Sequence, residues 1–131
     1  MNRKELSRLK ALAGLVYDRE RARLQASNAA ITAVAGEVAQ VHAARRARAA
    51  EVAAALEADF ATLADADLRW QDWGDAALRG LQIRRARLEV ERGERLAATS
   101  RAFGRTRAVD ELGRRAEAER RTKLARKSEE G

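Results

Sequence analysis

The chain has 131 residues, no cysteine and no proline, and its 27 Lys and Arg residues against 20 Asp and Glu residues give a net charge of +7. Alanine supplies 31 of the hydrophobic residues, and only five residues are aromatic. An average chain of this size would hold about six prolines. The composition excludes a disulfide framework, a thiolate metal site and a thick multilayer core, and it predicts long helices rich in Ala, Arg, Glu and Leu.

The chain also lacks the apolar segments that membrane insertion or secretion requires. It contains no run of about 18 apolar residues that would span a bilayer. Residues 1–5 are charged and lead into no apolar signal-peptide core. We therefore expect a cytoplasmic protein that does not insert into a membrane.

The first half of the chain has the hydrophobic spacing of a coiled-coil helix. Leu24, Ile31 and Val38 are seven residues apart. Val34 and Val41 lie between them in the alternating three-and-four spacing of a helix seam. This pattern predicts a first helical arm over residues 3–61.

Two arginines interrupt that seam. Arg45 and Arg48 fall on the strict heptad positions between Val41 and Val52. A four-residue stutter would rotate both side chains outward and locally unwind the coiled coil. We therefore expect alanines to carry the seam in this segment.

The second half repeats the apolar spacing more loosely, and a reversal near the middle would run it back along the first half. Residues 62–67 contain Thr and Asp side chains that can cap a helix, which places the turn there and the second arm at 68–126. A rival turn lies at 72–75, where Gly74 could end a helix. Residues 127–131 are expected to be a disordered tail.

Pairing of the two arms favours one hairpin over a single continuous helix. A turn at 62–67 would place opposite each other residues whose numbers add up to about 129. Val41 would then face Leu88 and Tyr17 would face Leu112, so apolar side chains would meet at both levels. The predicted fold class is all-α, a long two-helix antiparallel coiled-coil hairpin forming a single domain.

Charge is distributed unevenly along the chain. Residues 49–78 contain one basic and seven acidic side chains, a net charge of −6, whereas residues 84–127 contain fifteen basic and seven acidic ones, a net charge of +8. In a hairpin these segments would form an acidic tip and a basic open end. Such a polarity is expected of a connector with a different partner at each end.

No combination of residues in the sequence predicts catalysis. His42 is the single histidine, and it is best interpreted as a helix-surface side chain. No glycine-rich loop precedes a Lys-Ser or Lys-Thr pair that would cradle a phosphate. Asp65, Asp67, Asp72 and Asp75 lack the ligand order of a calcium-binding loop. We expect no enzyme activity, no catalytic residue, no cofactor and no metal site.

Two tryptophans lie three residues apart beside the predicted turn. On a helix, Trp70 and Trp73 would share one face. One interpretation is that they close the wide end of the hairpin against Leu56 and Phe60. The other is an exposed aromatic contact for a partner, because Trp is enriched in interface hot spots. Both can hold if one ring is buried and the other exposed.

Basic residues cluster at both ends of the chain, which a hairpin would bring together. Three interpretations are open: a solvated helix surface, a protein-docking surface and a nucleic-acid surface. The last is the weakest, because base stacking needs aromatic side chains and none of the five lies in this cluster. The cluster consists of Arg3, Lys4, Arg8, Lys10, Arg114, Arg115, Arg120, Arg121, Lys123, Arg126 and Lys127.

The second half resembles a known family of helical hairpins. Residues 68–73, Leu-Arg-Trp-Gln-Asp-Trp, look like the aromatic-bearing start of the second helix in the FliJ/YscO family, small cytoplasmic stalk proteins of flagellar and virulence type III export machines. Residues 108–115, Ala-Val-Asp-Glu-Leu-Gly-Arg-Arg, look like its C-terminal leucine followed by a basic pair. The resemblance is strongest over 68–126, and the first half is similar in pattern alone.

The resemblance implies a non-enzymatic coiled-coil stalk or coupling protein of a flagellar (type III) protein export apparatus. Its terminal arms would enter the export ATPase hexamer, its tip would reach toward the membrane protein of the export gate, and export chaperones would be further partners. It would be cytoplasmic and peripheral at the inner membrane. The alternative is a basic coiled-coil scaffold or a non-specific nucleic-acid-binding protein. Carried over, the ATPase-docking residues are Arg3, Lys4, Arg8, Arg114, Arg115, Arg120 and Arg121, and the gate-facing residues are Trp70 and Trp73.

Overall fold

Two long helices account for nearly all of the structure. The computed structural model describes the backbone of residues 1–55 and 60–131 and the side chains of residues 1–55 and 64–131. Helix α1 spans Arg3–Ala55 and helix α2 spans Phe60–Glu130, and no strand occurs in the described ranges. The two helices pack against each other, so the predicted all-α, two-helix antiparallel hairpin is confirmed.

Helix α1 begins with a capping box. The Asn2 side-chain Oδ1 accepts a hydrogen bond from the backbone N–H of Glu5 at 2.8 Å, and the Glu5 Oε2 accepts one from the backbone N–H of Asn2 at 3.3 Å. This reciprocal pair satisfies two N–H groups near the helix start, where no intrahelical acceptor is available. The Ala, Leu, Arg and Glu residues that follow are strong helix formers, so the helix continues through interior glycines that each cost about 1 kcal/mol relative to Ala.

The turn lies at neither of the predicted positions. Residues 62–67 and the rival segment 72–75 are both inside α2, as are residues 60 and 61 at the end of the predicted first arm. The segment that joins the helices, 56–59, lies outside the described residues. Cap-forming side chains are compatible with a helix interior when they pair along its surface, as Asp65 Oδ2 does with Arg69 Nη2 at 3.1 Å.

The C-terminal segment is helical as well, so the prediction of a disordered tail at 127–131 is wrong. Helix α2 continues to Glu130, and Lys127 lies in its last turn. A cation in the last turn interacts favourably with the negative end of the helix dipole. The backbone N–H of Gly131 donates to the carbonyl of Lys127 at 3.1 Å and extends the helical hydrogen-bonding pattern.

The chain divides into two compact units. Unit 1 consists of Met1–Gln25 and Gly93–Gly131, and unit 2 consists of Ala26–Arg92. Each unit therefore contains one segment of α1 packed against one segment of α2, and each has its own seam.

The facing residues in unit 1 have numbers that add up to about 120 instead of 129. Tyr17 packs on Phe103, with ring centroids 5.6 Å apart, and so does not face Leu112. The Lys10 Nζ lies 3.8 Å from Asp110 Oδ1 at the same register. The predicted pairing was wrong because the helices reverse direction before residue 60, and the error in turn position shifts every facing pair.

Unit 2 has the same kind of pairing. Arg84 Nη1 lies 3.0 Å from Glu37 Oε2, and Arg92 Nε donates to Asn28 Oδ1 at 2.6 Å. Val41 and Leu81 line one groove, so Val41 does not face Leu88. The apolar matches expected from the sequence are replaced by others about two to two and a half turns away on α2.

The heptad seam of α1 passes through both seam arginines without a stutter. The prediction that Arg45 and Arg48 rotate outward is wrong, because their side chains are only 21% and 30% exposed. In unit 2, every seventh residue of α1 from Ser27 through Val34 to Arg48 is buried or half-buried. Arginine fits such a position because its apolar stem can pack while the guanidinium reaches a polar partner.

The core of each unit is thin. Val34 is fully buried in unit 2, and Ala102 and Val109 are buried in unit 1. Two polar side chains, Glu20 and Ser27, are buried among the apolar ones. Because two helices bury one stripe each, their stability depends on the summed contribution of many helical residues and not on a large core.

Candidate functional site

All seven residues predicted to dock onto an ATPase lie in unit 1. The start of α1 and the end of α2 pack side by side there, which brings the two basic segments together. Arg3 Nη2 lies 3.8 Å from Glu117 Oε2 across the two helices. Lys4, Arg8 and Arg121 are exposed. The structure therefore places the predicted residues on one unit.

The net charge of the chain is concentrated in this unit. Unit 1 contains 18 basic and 10 acidic residues, a net charge of +8, whereas unit 2 contains 9 basic and 10 acidic residues, a net charge of −1. A positive field of this kind attracts acidic partners and raises their rate of association. Unit 1 is consequently the part of the molecule best suited to an acidic macromolecule.

Two acidic residues on α2 hold several of these arginines in place. Glu111 accepts contacts from Arg114 and Arg115 at 3.7 and 3.4 Å, and Glu117 lies 3.6 Å from Arg120 Nη1. Exposed ion pairs contribute about 0–1 kcal/mol, so a carboxylate from a partner can replace the internal one at little cost. These ion pairs hold the arginines in position but leave them free to bind a partner.

Unit 1 also contains an aromatic and arginine cluster that the sequence analysis missed. The rings of Tyr17 and Phe103 pack at an interplanar angle of 44°. The Arg21 Cζ lies 5.5 Å from the Tyr17 ring centroid, and the Arg107 Cζ lies 5.9 Å from that of Phe103. In each pair the arginine follows the aromatic residue by four positions, a spacing that could have predicted both contacts. The contact between the two rings was missed because the predicted register placed Tyr17 opposite Leu112.

The two tryptophans lie in unit 2 and contact each other. The ring centroids of Trp70 and Trp73 are 5.7 Å apart, at an angle of 42°. Trp70 is half-buried, whereas Trp73 is 55% exposed. The side chains of Leu56 and Phe60, the predicted packing partners, lie outside the described residues.

Trp73 stands at the edge of a groove of about 510 Å³ in unit 2. Small residues form much of its wall, including Ala44, Ala77 and Gly80, with Val41 and Leu81 among the larger ones. A mostly apolar groove beside an exposed tryptophan has the composition of an interface hot spot. The prediction of a partner contact at Trp73 therefore has a suitable surface.

Arg45 also joins the two helices of unit 2 through polar contacts. Its Nη2 donates to the backbone carbonyl of Gln71 at 2.9 Å and pairs with Asp75 Oδ1 at 2.6 Å. The hydrogen bond from Arg45 holds the pKa of Asp75 below its ordinary value of 3.8. Desolvation opposes this effect, and the charges of Arg45 and Arg79 add to it.

From its sequence, the chain is expected to hold no metal site. His42 is exposed on α1. Within the described ranges, no group of three or more His, Cys, Asp or Glu side chains is arranged to hold a metal ion.

Neither helix, over its described residues, includes a stretch long and apolar enough to cross a membrane.

Comparison with known proteins adds no relative: no family model, no curated protein and no solved structure matches this chain.

Proposed function

We propose that the protein is a non-enzymatic coiled-coil stalk of a flagellar (type III) export apparatus, as its resemblance to the FliJ/YscO family implies. The observation that carries the proposal is that unit 1 combines both terminal segments with a net charge of +8. In this role unit 1 docks into the export ATPase hexamer, and the Trp70 and Trp73 surface of unit 2 faces the export gate. The protein acts in the cytoplasm, peripheral at the inner membrane, and export chaperones are further partners.

The chemistry of unit 1 suits this docking. Arginine guanidinium groups bind carboxylates through paired, charge-assisted hydrogen bonds. Lys4, Arg8 and Arg121 are exposed, and the weak ion pairs of Arg114 and Arg115 can exchange partners. A rim of acidic residues inside an ATPase ring is the complementary surface.

The test is binding of the full chain to a purified hexameric export ATPase. We expect the fourfold variant Arg114→Glu, Arg115→Glu, Arg120→Glu and Arg121→Glu to lose about a hundredfold or more in affinity, because a cationic contact becomes repulsive. The same variant should fail to restore motility to a cell that lacks its own stalk protein.

A matched control has the same change of charge in unit 2. This control variant changes four basic residues that are exposed on unit 2, namely Arg46, Arg79, Arg85 and Arg87. Their reversal to Glu should leave ATPase binding within about threefold of the parent, because screening limits the reach of these charges to about 10 Å. Equal loss in both variants, or no binding by the parent protein, contradicts the proposal.

A second candidate, non-specific nucleic-acid binding, gains support from the cluster of Tyr17, Phe103, Arg21 and Arg107. Aromatic and cationic side chains together form the platform on which single-stranded bases stack. Retention on DNA that falls steeply with salt, and that Phe103→Ala and Arg107→Ala weaken, would favour this function over the stalk.

A further inference from the structure

Unit 1 has an apolar groove to which the proposed function assigns no partner. The groove has a volume of about 350 Å³ and lies between the two helices. Its apolar walls include Leu9, Leu12 and Val16 from α1 and Ala102, Ala108 and Val109 from α2.

The groove exists because the two helices contribute side chains of different size. At the observed register, Ala108 lies at the level of Leu12, and both line the groove. Ala108 is too small to cover Leu12, which is 59% exposed. Leu15, one turn further along α1, is 68% exposed. Two large aliphatic side chains on one face of a helix remain without a covering partner in unit 1.

The shape of this surface suits a third helix. Leucines of α1 stand higher than the alanines of α2 on the opposite wall, a relief that can receive the side chains of a packed helix. Helices that dock into such grooves anchor themselves through apolar residues three and four positions apart. The groove therefore favours an amphipathic helix over an extended segment.

The rim of the groove is basic. Arg105 lines it, and Arg101 lies one turn earlier on the same face of α2. On α1, Arg8 lies one turn before Leu12, and Arg19 lies one turn after Leu15. All four arginines are exposed, and Arg19 contacts Glu20 Oε1 at 3.2 Å in the free chain.

Most acidic side chains near the groove already have partners; Asp18 on α1 is exposed, whereas Asp110 pairs with Lys10 and Glu20 with Arg19 and Arg23. Glu111 contacts Arg114 and Arg115, and Glu5 is part of the capping box of α1. A second copy of unit 1 would place arginines against arginines, which charge repulsion disfavours. The charge of the rim instead complements carboxylates.

We infer that this groove binds an amphipathic helix of a partner protein whose apolar stripe is bordered by Asp or Glu residues. The leucine and alanine walls hold the stripe, and Arg8, Arg19, Arg101 and Arg105 pair with the flanking carboxylates. This inference does not depend on the proposed function, since the groove is lined by none of the proposed ATPase-docking residues, shares only Arg8 with them at its rim, and takes a partner of defined chemistry.

A designed peptide tests the inference with the full chain. The probe is a fluorescently labelled peptide of about 18 residues, long enough to form a helix on binding, with leucines three and four apart and Glu at the flanking positions. Its affinity is measured by fluorescence anisotropy. A second peptide carries Lys in place of every Glu. We expect the acidic peptide to bind at least about tenfold more tightly than the basic one, and less tightly as salt is raised.

Variants of the groove separate its two contributions. Ala108→Trp fills the groove, and Leu12→Ser with Leu15→Ser removes the exposed ridge; each should weaken the acidic peptide by about tenfold or more. Arg101→Glu with Arg105→Glu should abolish the preference for the acidic peptide. Lys123→Glu with Arg126→Glu makes the same change in net charge on exposed residues of unit 1 away from the groove and should leave both affinities unchanged.

The serine variants keep the test decisive if Ala108→Trp disturbs packing, because Leu12 and Leu15 are exposed and their replacement does not touch the seam. Helix content measured by circular dichroism checks that each variant is folded. Equal affinity for the two peptides, or unchanged binding by folded groove variants, overturns the inference. Self-association of the chain that Ala108→Trp removes would also overturn it, since a second copy would then be the occupant.

Discussion

At the scale of single residues, Arg45 and Gly74 depend on each other. Gly74 is buried and helical, so it is not needed for an unusual backbone conformation. It is needed for space, because a Cβ at this position would lie 2.7 Å from the Nη2 and 2.9 Å from the Cζ of Arg45. The missing side chain leaves room for the guanidinium that bridges Gln71 and Asp75.

The first prediction is that Gly74→Ala will not stabilise the protein, although Ala is the better helix former. Ala gains about 1 kcal/mol in helix propensity, and displacement of Arg45 loses the half-buried hydrogen bond from its charged guanidinium to the Gln71 carbonyl, a class of bond worth about 1.5–3 kcal/mol. In an Arg45→Met background the clash with the guanidinium is absent, so Gly74→Ala should then stabilise. Urea unfolding of the four proteins measures the coupling.

Gly36→Ala is the matched control, because a Cβ at Gly36 meets nothing within 4 Å. This substitution should raise the free energy of unfolding by about 0.5–1 kcal/mol with either residue at position 45. Equal stabilisation by Gly36→Ala and Gly74→Ala in the parent chain would show that Arg45 does not occupy the space over Gly74.

The second prediction concerns pH. Because the folded-state pKa of Asp75 is lowered, its contribution to stability is present above the ordinary value of 3.8 and is lost as pH falls through the folded pKa. Asp75→Asn should therefore lower the urea midpoint at neutral pH, and the difference from the parent should vanish at acidic pH. Asp72→Asn, an exposed position in the same turn, should show a smaller difference at neutral pH.

At the scale of the elements, the α1 seam contains a buried carboxylate. Glu20 Oε1 contacts Arg19 and Arg23 at 3.2 and 3.5 Å, but its Oε2 is buried without a hydrogen-bond partner in the described part of the chain. Burial of an incompletely paired charge costs stability. The seam of unit 1 is therefore not optimised for strength at this position.

The third prediction is that Glu20→Leu will stabilise unit 1, because it removes an incompletely paired buried charge; replacement of whole buried ion pairs by packed apolar residues can stabilise by about 1–4 kcal/mol. Arg19 and Arg23 lose their partner, but both are largely exposed and can be hydrated. Chemical unfolding followed by circular dichroism measures the change. Glu94→Leu, at an exposed position, should have little effect, and a fall in stability for Glu20→Leu would contradict the prediction.

The fourth prediction concerns the start of α1. Asn2→Ala removes the side-chain acceptor of the capping box and should destabilise the first turn by about 1 kcal/mol. Amide hydrogen exchange at Glu5 should become faster, since its N–H loses its hydrogen bond. Asn2→Ser retains a side-chain acceptor and should keep most of the protection.

The helices could be predicted from the sequence, but their register could not. Heptads such as Leu24, Ile31 and Val38 specify a helix and its buried face through side chains a few residues apart. The register depends on where the chain reverses, and the Thr and Asp signals at 62–67 proved to be compatible with a helix interior. The heptad pattern predicted that Arg45 would leave the seam. The space that keeps it there lies over Gly74, 29 positions along the chain, and a local pattern does not reveal such a contact.

At the scale of the whole molecule, the net charge belongs to one unit. Charges of +8 on unit 1 and −1 on unit 2 mean that self-repulsion acts in unit 1 and is small in unit 2. The basic residues of this unit could be predicted from their positions at the two chain ends. The cluster around Tyr17 and Phe103 could not, because it required the correct register.

The fifth prediction follows from that asymmetry. Raising ionic strength from about 0.01 M to about 0.1 M shortens the Debye length from about 30 Å to about 10 Å and screens repulsion among the arginines. Amide protection in unit 1 should increase with salt, while that in unit 2 should change little. Hydrogen exchange followed by mass spectrometry separates the two, and an equal response in both units would contradict the prediction.

The placement of the aromatic residues gives each unit its own optical reporter. Both tryptophans of the chain, Trp70 and Trp73, lie in unit 2, and its single tyrosine, Tyr17, lies in unit 1. Emission excited where tryptophan alone absorbs will follow the loss of structure in unit 2. The tyrosine absorbs where the tryptophans absorb as well, so unit 1 is followed by the part of the near-ultraviolet change that does not coincide with the change in tryptophan emission. Partner binding and melting can therefore be assigned to one unit or the other in the unlabelled natural protein.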